Sequence, residues 1–283
     1  MAKELHHPIL AGVVGWPVGH SLSPLIHGTW AKRAGINGHY VPLAVPPSHE
    51  EFARAMDALR TLGFAGVNVT LPHKEHALRY ADRASEAANR AGAANMLSFG
   101  AEGAVADNSD IAGFAAAVRE VSSAPGSSAL ILGAGGAARG VALALHILGF
   151  KSIDIANRTR DKAGALAKTF GLGVVGWSER SEALAGVDLV VNTTSLGMTG
   201  EPPLDVDLSL LRQSAIVADI VYAPLETPLL AAAAERGNKT VDGLSMLMHQ
   251  AVPGFNAWFG GEAAVDGDLR RKLAGELARR ASS

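Results

Sequence analysis

An apolar run at residues 129–132 ends directly in Gly133-Ala134-Gly135-Gly136-Ala137-Ala138, a G-x-G-x-x-A turn, and an alanine-rich helical run at 140–148 follows. Strand, glycine turn and helix in that order are what a dinucleotide-binding βαβ unit requires. Gly133 allows the tight turn, Gly135 lets the backbone approach a pyrophosphate, and Ala138 is small enough for the helix to pack on the strand. The helix start then offers N–H groups and partial positive charge to phosphate oxygens. Alone, such a turn also fits an ordinary strand–helix junction, and the next strand decides between the two. Residues 152–156 lead into Asn157-Arg158-Thr159, at the place, about twenty residues on, where an NAD-specific unit carries an Asp or Glu for the ribose 2′-hydroxyl. Here that place holds neutral Asn157, with Arg158 beside it and Arg160 and Lys162 just after. A carboxylate repels a 2′-phosphate, whereas a guanidinium pairs with it through parallel N–H bonds. The stretch reads as an NADP site, with a solvated helix start as the bland alternative.

The 283 residues leave room for two ordinary domains, and 48% hydrophobic residues with a net charge of −2 indicate a globular chain with ample core. No basic excess points to nucleic acid. No apolar run is long enough for a membrane span, and the N-terminal residues lack a signal-peptide h-region, so a cytoplasmic location is expected. The chain has no cysteine. That excludes disulfides, thiolate nucleophiles and thiolate metal sites, and fits a reducing compartment.

Strand and helix signals alternate. Runs at 9–15, 39–45 and 66–70 read as strands. Ser23 before Pro24 reads as the N-cap of a helix to about residue 34, and Ser48 with Glu51 as a capping box. A helix at about 84–91 precedes a strand at 93–98 and its hairpin partner near 104–106. Asp107-Asn108-Ser109-Asp110 opens a helix to about residue 122, and residues 122–128 form a loop into the glycine-turn strand. Further strands follow at 187–191, 215–219 and 239–241, and beyond Asp242-Gly243 the pattern is helical, at 244–258 and 268–281. The expected fold class is α/β. An N-terminal α/β substrate domain spans 1–108 and a Rossmann-type NADP-binding domain spans 109–242. C-terminal helices over 243–283 return to the first domain, with the active site expected in the cleft between the domains.

Polar clusters sit at strand ends and helix starts, where open α/β folds place their sites. The hydroxyls of Ser21 and Ser23, in a loop before a helix, are placed to donate to an anion such as a carboxylate; for Ser23 a plain N-cap is the commoner fate. Asn68 and Thr70 share one strand face. Lys74 follows near a helix start, where the macrodipole disfavours a cation, a surface lysine being the ordinary alternative. Asn95 lies in a small-residue strand, Asp110 either caps its helix or serves a site, and Gln250 interrupts an otherwise apolar helix. His73 and His76 could face one way as metal ligands, but a lysine stands between them and no third ligand is evident, so no metal is expected.

In combination these stretches resemble the shikimate dehydrogenase family over most of the chain. The resemblance rests on Gly15-Trp16-Pro17-Val18-Gly19-His20-Ser21-Leu22-Ser23-Pro24, Asn68-Val69-Thr70-Leu71-Pro72-His73-Lys74, Gly92-Ala93-Ala94-Asn95, Asn108-Ser109-Asp110, the glycine turn through Arg139, and Asn157-Arg158-Thr159. It continues through Asn192-Thr193-Thr194-Ser195-Leu196-Gly197-Met198, Asp219-Ile220-Val221-Tyr222-Ala223-Pro224, and Asp242-Gly243-Leu244-Ser245-Met246 onward to Gln250, all in the family's order. It implies reversible, NADPH-dependent reduction of 3-dehydroshikimate to shikimate in aromatic amino-acid biosynthesis. By the same resemblance, Ser21 and Ser23 hold the substrate carboxylate. Thr70, Asn95, Asp110 and Gln250 take the ring hydroxyls with Tyr222 nearby, and Lys74 and Asp110 form the catalytic pair. Asn157, Arg158 and Thr159 clamp the 2′-phosphate, Met198 and Met246 lie near the nicotinamide, and the cofactor set extends to Gly136, Ala137, Lys162, Thr193 and Gly243. The implied partners are NADP(H) and the small-molecule substrate, with no nucleic acid or membrane, and a homodimer is compatible with the family. Gly28, Met96 and Ser109 depart from the family's common Asn, Thr and Thr, and only local repacking is expected from them. Two alternatives stay open. One is a quinate/shikimate dehydrogenase of broader specificity, decided by the Ser21/Ser23 pocket because quinate carries an extra hydroxyl on the carboxylate-bearing carbon. The other is a non-catalytic NADPH-binding regulator, which would be expected to lose Lys74 or Asp110.

Overall fold

The computed structural model describes residues 7–124 and 126–282. They form two compact units. One holds the described residues through Ser109 together with Gln250–Leu273, and the other holds Asp110–His249 and the chain from Ala274.

The first unit runs β1 (Ile9–Gly15), α1 (Ser23–Arg33), β2 (Gly38–Ala44), α2 (His49–Thr61), β3 (Phe64–Val69), α3 (Lys74–Tyr80), β4 (Arg83–Ala84), α4 (Glu86–Ala91), β5 (Met96–Gly100) and β6 (Gly103–Asp107). Its sheet has the order β2-β1-β3-β5-β6-β4. β1 pairs parallel with β2 and β3, whereas β5 is antiparallel to both β3 and β6. Phe52, Met56 and Leu59 recur at helical spacing on α2 and bury against Val14, Val67, Val69 and Leu97. Ser48 caps that helix by accepting from the Glu51 N–H at 3.1 Å. Only this half of the expected capping box forms, because the Ser48 N–H bonds the Pro46 carbonyl and the Glu51 carboxylate pairs with Arg54.

The second unit runs α5 (Ser109–Val121), β7 (Ser128–Leu132), α6 (Gly136–Ile147), β8 (Ser152–Ala156), α7 (Arg160–Phe170), β9 (Gly173–Val175), β10 (Leu189–Asn192), β11 (Ile216–Asp219), α8 (Pro228–Glu235) and β12 (Lys239–Val241). α9 (Gly243–Phe259) and α10 (Gly267–Ala281) follow, each with residues in both units. The sheet order is β12-β11-β10-β7-β8-β9, all parallel. The chain steps outward from β7 through β8 to β9, then returns to the other side at β10, which is the doubly wound dinucleotide-binding order. Both faces of such a sheet are covered, hence the unbroken apolar runs in β7 and β10.

The α/β class and the Rossmann-type unit are as expected, with shifts at element ends. α6 starts at Gly136, so the glycine turn itself opens the helix, and Ala84 lies in a short strand rather than a helix. The short β9 and the alanine-rich α8 went unread in the sequence. Among the described residues no helix is long and apolar enough to cross a membrane.

Candidate active site

In the first sheet β1 leads outward to β2 on one side, and β3 then returns to the other. The C-terminal edge between β1 and β3 is therefore a topological switch point, where open sheets bind ligands. The loop after β1 carries Ser21 and Ser23; the segment after β3 carries Thr70 and leads to Lys74, the first residue of α3. Because β5 runs antiparallel to β3, Asn95 at its start reaches the same edge. β6 ends there too, followed by Asn108, Ser109 and, in the first turn of α5, the buried Asp110. The Thr70 N–H bonds the Val14 carbonyl at 2.8 Å, and the Trp16 N–H bonds Leu71 at 3.0 Å. A Cβ on Gly15 would fall 2.4 Å from the Thr70 methyl, so this close approach requires the glycine.

Ser23 is not the cap of α1. The helix begins at Ser23 itself, with Leu22 in the capping place and making no side-chain bond, and the Ser23 N–H is taken by Ser21 Oγ at 3.2 Å. The hydroxyl two residues upstream does the capping work. Ser23 keeps its own hydroxyl for other duty, in a buried position.

Asn95 is the hub of the edge. Its Oδ1 accepts from the Ser109 N–H at 2.7 Å, and its Nδ2 donates to Ser109 Oγ at 3.0 Å and to Gln250 Oε1 at 3.4 Å. Ser109 thus does more than repack locally: both its backbone and its hydroxyl orient this amide. Asn68 Nδ2 donates to the Asn95 carbonyl at 3.3 Å, and Asn68 Oδ1 accepts from the Tyr40 hydroxyl at 2.7 Å. Tyr40 was missed in the sequence. It is the one buried residue of β2, and nothing in the residues beside it sets it apart. His73 is a core histidine. Its Nε2 donates to the Val45 carbonyl at 2.8 Å, its ring stacks on Phe52, and burial lowers its pKa. Among the described residues no three His, Asp or Glu side chains gather where a metal could sit.

In the second unit Gly133 has φ +108°, and a Cβ there would lie 2.8 Å from Thr193 Oγ1 and from the Thr194 methyl. Thr193 is buried and its hydroxyl is committed to the turn, donating to the Leu132 carbonyl at 2.9 Å with that of Gly133 at 3.2 Å. Gly135 is different. It is exposed at the start of α6, offers no side-chain cap, and a Cβ on it would meet no protein atom within 4 Å. Glycine is needed there only by something arriving from outside, as a pyrophosphate would over the N–H groups of Gly136 and Ala137. Asn157 joins this turn to the next loop: its Oδ1 accepts from the Ala134 N–H at 3.1 Å and its Nδ2 donates to the Thr159 carbonyl at 2.9 Å. Arg158, Thr159 and Lys162 are exposed beside it. An open phosphate cradle next to free-standing basic side chains fits NADP.

Asp219, at the end of β11, accepts from Asn192 Nδ2 at 2.9 Å, the Val221 N–H at 3.0 Å and Thr227 Oγ1 at 2.7 Å. Asn192 Oδ1 in turn accepts from the Thr194 N–H and hydroxyl. This pair, given no role in the sequence reading, holds the loop toward exposed Met198 and the loop bearing Tyr222. Burial pushes the Tyr222 phenol above its ordinary pKa, with Arg280 opposing. A Cβ on Gly243 would lie 2.3 Å from the Ile220 carbonyl, so close backbone packing demands that glycine, and Met246 is buried one turn on.

Two family models match the chain, the shikimate dehydrogenase substrate binding domain over residues 13–97 and shikimate/quinate 5-dehydrogenase over residues 115–199. The NADP(+) shikimate dehydrogenase of Acidiphilium cryptum is 53% identical, covering 96% of this chain and 98% of the relative. The Thermus thermophilus shikimate 5-dehydrogenase structure, in complex with NADP(H) and shikimate, superposes with a TM-score of 0.85 at 34% identity, covering 95% of this chain and 99% of that one. A quinate dehydrogenase from Corynebacterium glutamicum, in complex with NAD, has a TM-score of 0.88 at 32% identity, covering 95% and 99%. With both domain models matched in order and half the residues shared with a curated relative over nearly its full length, this chain belongs to the NADP-dependent shikimate dehydrogenase family of oxidoreductases.

Proposed function

We propose that the chain reduces 3-dehydroshikimate to shikimate reversibly with NADPH, using Lys74 and Asp110 as its catalytic pair. The observation that carries this reading is the polar edge of the first sheet, where Ser21, Ser23, Thr70, Lys74, Asn95 and Gln250 are delivered by separate elements around one oriented amide. Bound NADPH supplies the hydride. The ketone oxygen then needs a proton, and the Lys74 ammonium supplies both charge and proton to it. Asp110 holds that ammonium and a ring hydroxyl. Ser21 and Ser23 donate to the carboxylate, while Thr70, Asn95 and Gln250 match the ring hydroxyls, and Tyr222 is assigned to the substrate as well. A site of such groups selects a polyhydroxy acid, because an analogue lacking a hydroxyl leaves buried partners unpaired. Arg158, with Asn157, Thr159 and Lys162, takes the 2′-phosphate, and Gly133 through Ala137 take the pyrophosphate. Thr193 and Gly243 shape the cofactor's surroundings, and Met198 and Met246 lie toward the nicotinamide. The absence of cysteine suits work in a reducing cytoplasm.

The test is oxidation of shikimate and of quinate, each with NADP and with NAD, for the native chain and for Lys74→Ala. Turnover confined to shikimate with NADP, and cut by a factor on the order of 10² or more in the variant, is expected. Comparable quinate or NAD turnover would place the chain with the broader-specificity relatives. Near-native turnover of the variant would remove Lys74 from the mechanism.

A further inference from the structure

Glu120, in the last turn of α5, holds two side chains of α9. The Ser245 hydroxyl donates to Glu120 Oε2, and His249 Nε2 lies 2.9 Å from Oε1. A serine, a histidine and an acid could form a hydrolytic triad, but here the serine proton goes to the acid and not to the imidazole, so no nucleophile is activated. The cluster is a brace between two helices. Its α5 end is fixed, because Lys239 Nζ donates to the Val121 carbonyl at 3.0 Å. On α9, Asp242 Oδ1 accepts from the Ser245 N–H at 2.9 Å, so the braced serine sits in a capped first turn. Ser245 and His249, at i and i+4, share one face of α9, and Met246 and Gln250 share the next, about 100° round the helix. The backbone alone holds that turn loosely. Pro253 has no N–H for the His249 carbonyl, so the helical ladder misses a bond beside Gln250.

We infer that Glu120 is a positioning residue for Gln250. Its carboxylate sets the roll of α9, and with it the direction in which the Gln250 amide points. That amide already has a partner in the pocket, since Gln250 Oε1 accepts from Asn95 Nδ2 at 3.4 Å. A bond so long tolerates little further turn of the helix before it is lost. The Glu120 side chain is 46% exposed, so the brace contributes little to stability and acts on direction instead. Glu120 touches neither substrate nor cofactor; it works through Ser245 and the helix. This inference rests on the proposed role of Gln250 as a ligand of a ring hydroxyl.

The test compares Glu120→Ala, Glu120→Gln, Ser245→Ala, Gln250→Ala and the double variant Glu120→Ala/Gln250→Ala. Glu120→Ala is expected to raise the KM for shikimate about 5-fold, the worth of one misdirected hydrogen bond. Its Tm should stay within about 2 °C of the native chain, as for loss of a half-exposed contact. Ser245→Ala should reproduce that KM. Glu120→Gln, whose amide oxygen still accepts from Ser245, should return it to within about 2-fold of native. The double variant should have the KM of Gln250→Ala alone, because the brace then has nothing left to aim. Effects of Glu120→Ala and Gln250→Ala that multiply, a native KM in Glu120→Ala, or a Glu120→Gln as impaired as Glu120→Ala would overturn the brace and leave Gln250 in its role. A native KM in Gln250→Ala would remove Gln250 as a ligand and the inference with it, while shikimate turnover by the native chain kept the proposed function standing.

Discussion

The imidazole of His27 lies flat on the ring of Tyr40, centroids 3.9 Å apart and planes 9° from parallel. Trp30, Phe255, Trp258 and Phe259 complete the surrounding box, and neither ring nitrogen of His27 has a hydrogen-bond partner. Burial lowers its pKa from 6.5 to about 3. The unfolded chain therefore takes up a proton that the fold refuses. Stability from this group is fully present above pH 6.5 and is lost as pH falls toward 3, with about 2 kcal/mol gone by pH 5. Urea unfolding at pH 7.5 and 5 should show His27→Phe losing about 2 kcal/mol less than the native chain over that interval. Equal losses would mean that His27 is protonated inside the fold.

Asp219 has the opposite sign. Burial raises its carboxyl from 3.8 to about 6, although Thr227, Val221 and Asn192 all donate to it. Its folded pKa exceeds the unfolded one, so its contribution is fully present below pH 3.8 and is lost as pH rises through 6. The stability difference between the native chain and Asp219→Asn should shrink by about 2 kcal/mol from pH 4.5 to 7. A difference flat across that range would show an unperturbed carboxylate.

Arg158 is exposed, and the proposed function gives it the 2′-phosphate. Arg158→Ala should raise the KM for NADP by about tenfold or more and leave turnover with NAD nearly unchanged, since only the former carries that phosphate. Steady-state kinetics with both cofactors decides it, and equal losses would count against the clamp.

Gly133 and Gly135 should respond differently to the same change. Gly133→Ala forces a side chain into φ +108° and against Thr193, and its unfolding free energy should drop by about 1–3 kcal/mol. Gly135→Ala meets only open space, so it should melt like the native chain while binding NADP about tenfold more weakly. A lowered Tm for Gly135→Ala, with binding intact, would show that the glycine serves the fold alone.

What the sequence made legible was local. The glycine turn, the Asn157-Arg158-Thr159 loop and the Ser48 cap each depend on residues a few places apart, where backbone geometry links residue type to position. Tyr40 escaped, and the pairing of Asn192 with Asp219 was not read, because the partners lie 28 and 27 residues apart. Only the strand order brings those pairs together. Ser23 was misplaced for a different reason: two serines flank one helix start, either can cap it, and the choice rests on the backbone angles of Leu22. The unread α8 carries Thr227 as its cap, with Pro228 next. That signal was present but stood inside a stretch dominated by apolar residues.

The β5–β6 hairpin makes the first sheet antiparallel on one side only. Each parallel strand reaches the ligand edge at its end, and the loop that follows can lengthen or shorten without disturbing the strand behind it. Asn95 arrives instead where a strand begins, with its carbonyl bonded to the Val69 N–H and its own N–H to the Asp107 carbonyl. It has no slack to drift with. Insertions in the neighbouring loops would redraw the walls of the pocket while this amide kept its place, a fixed datum around which substrate range can diversify.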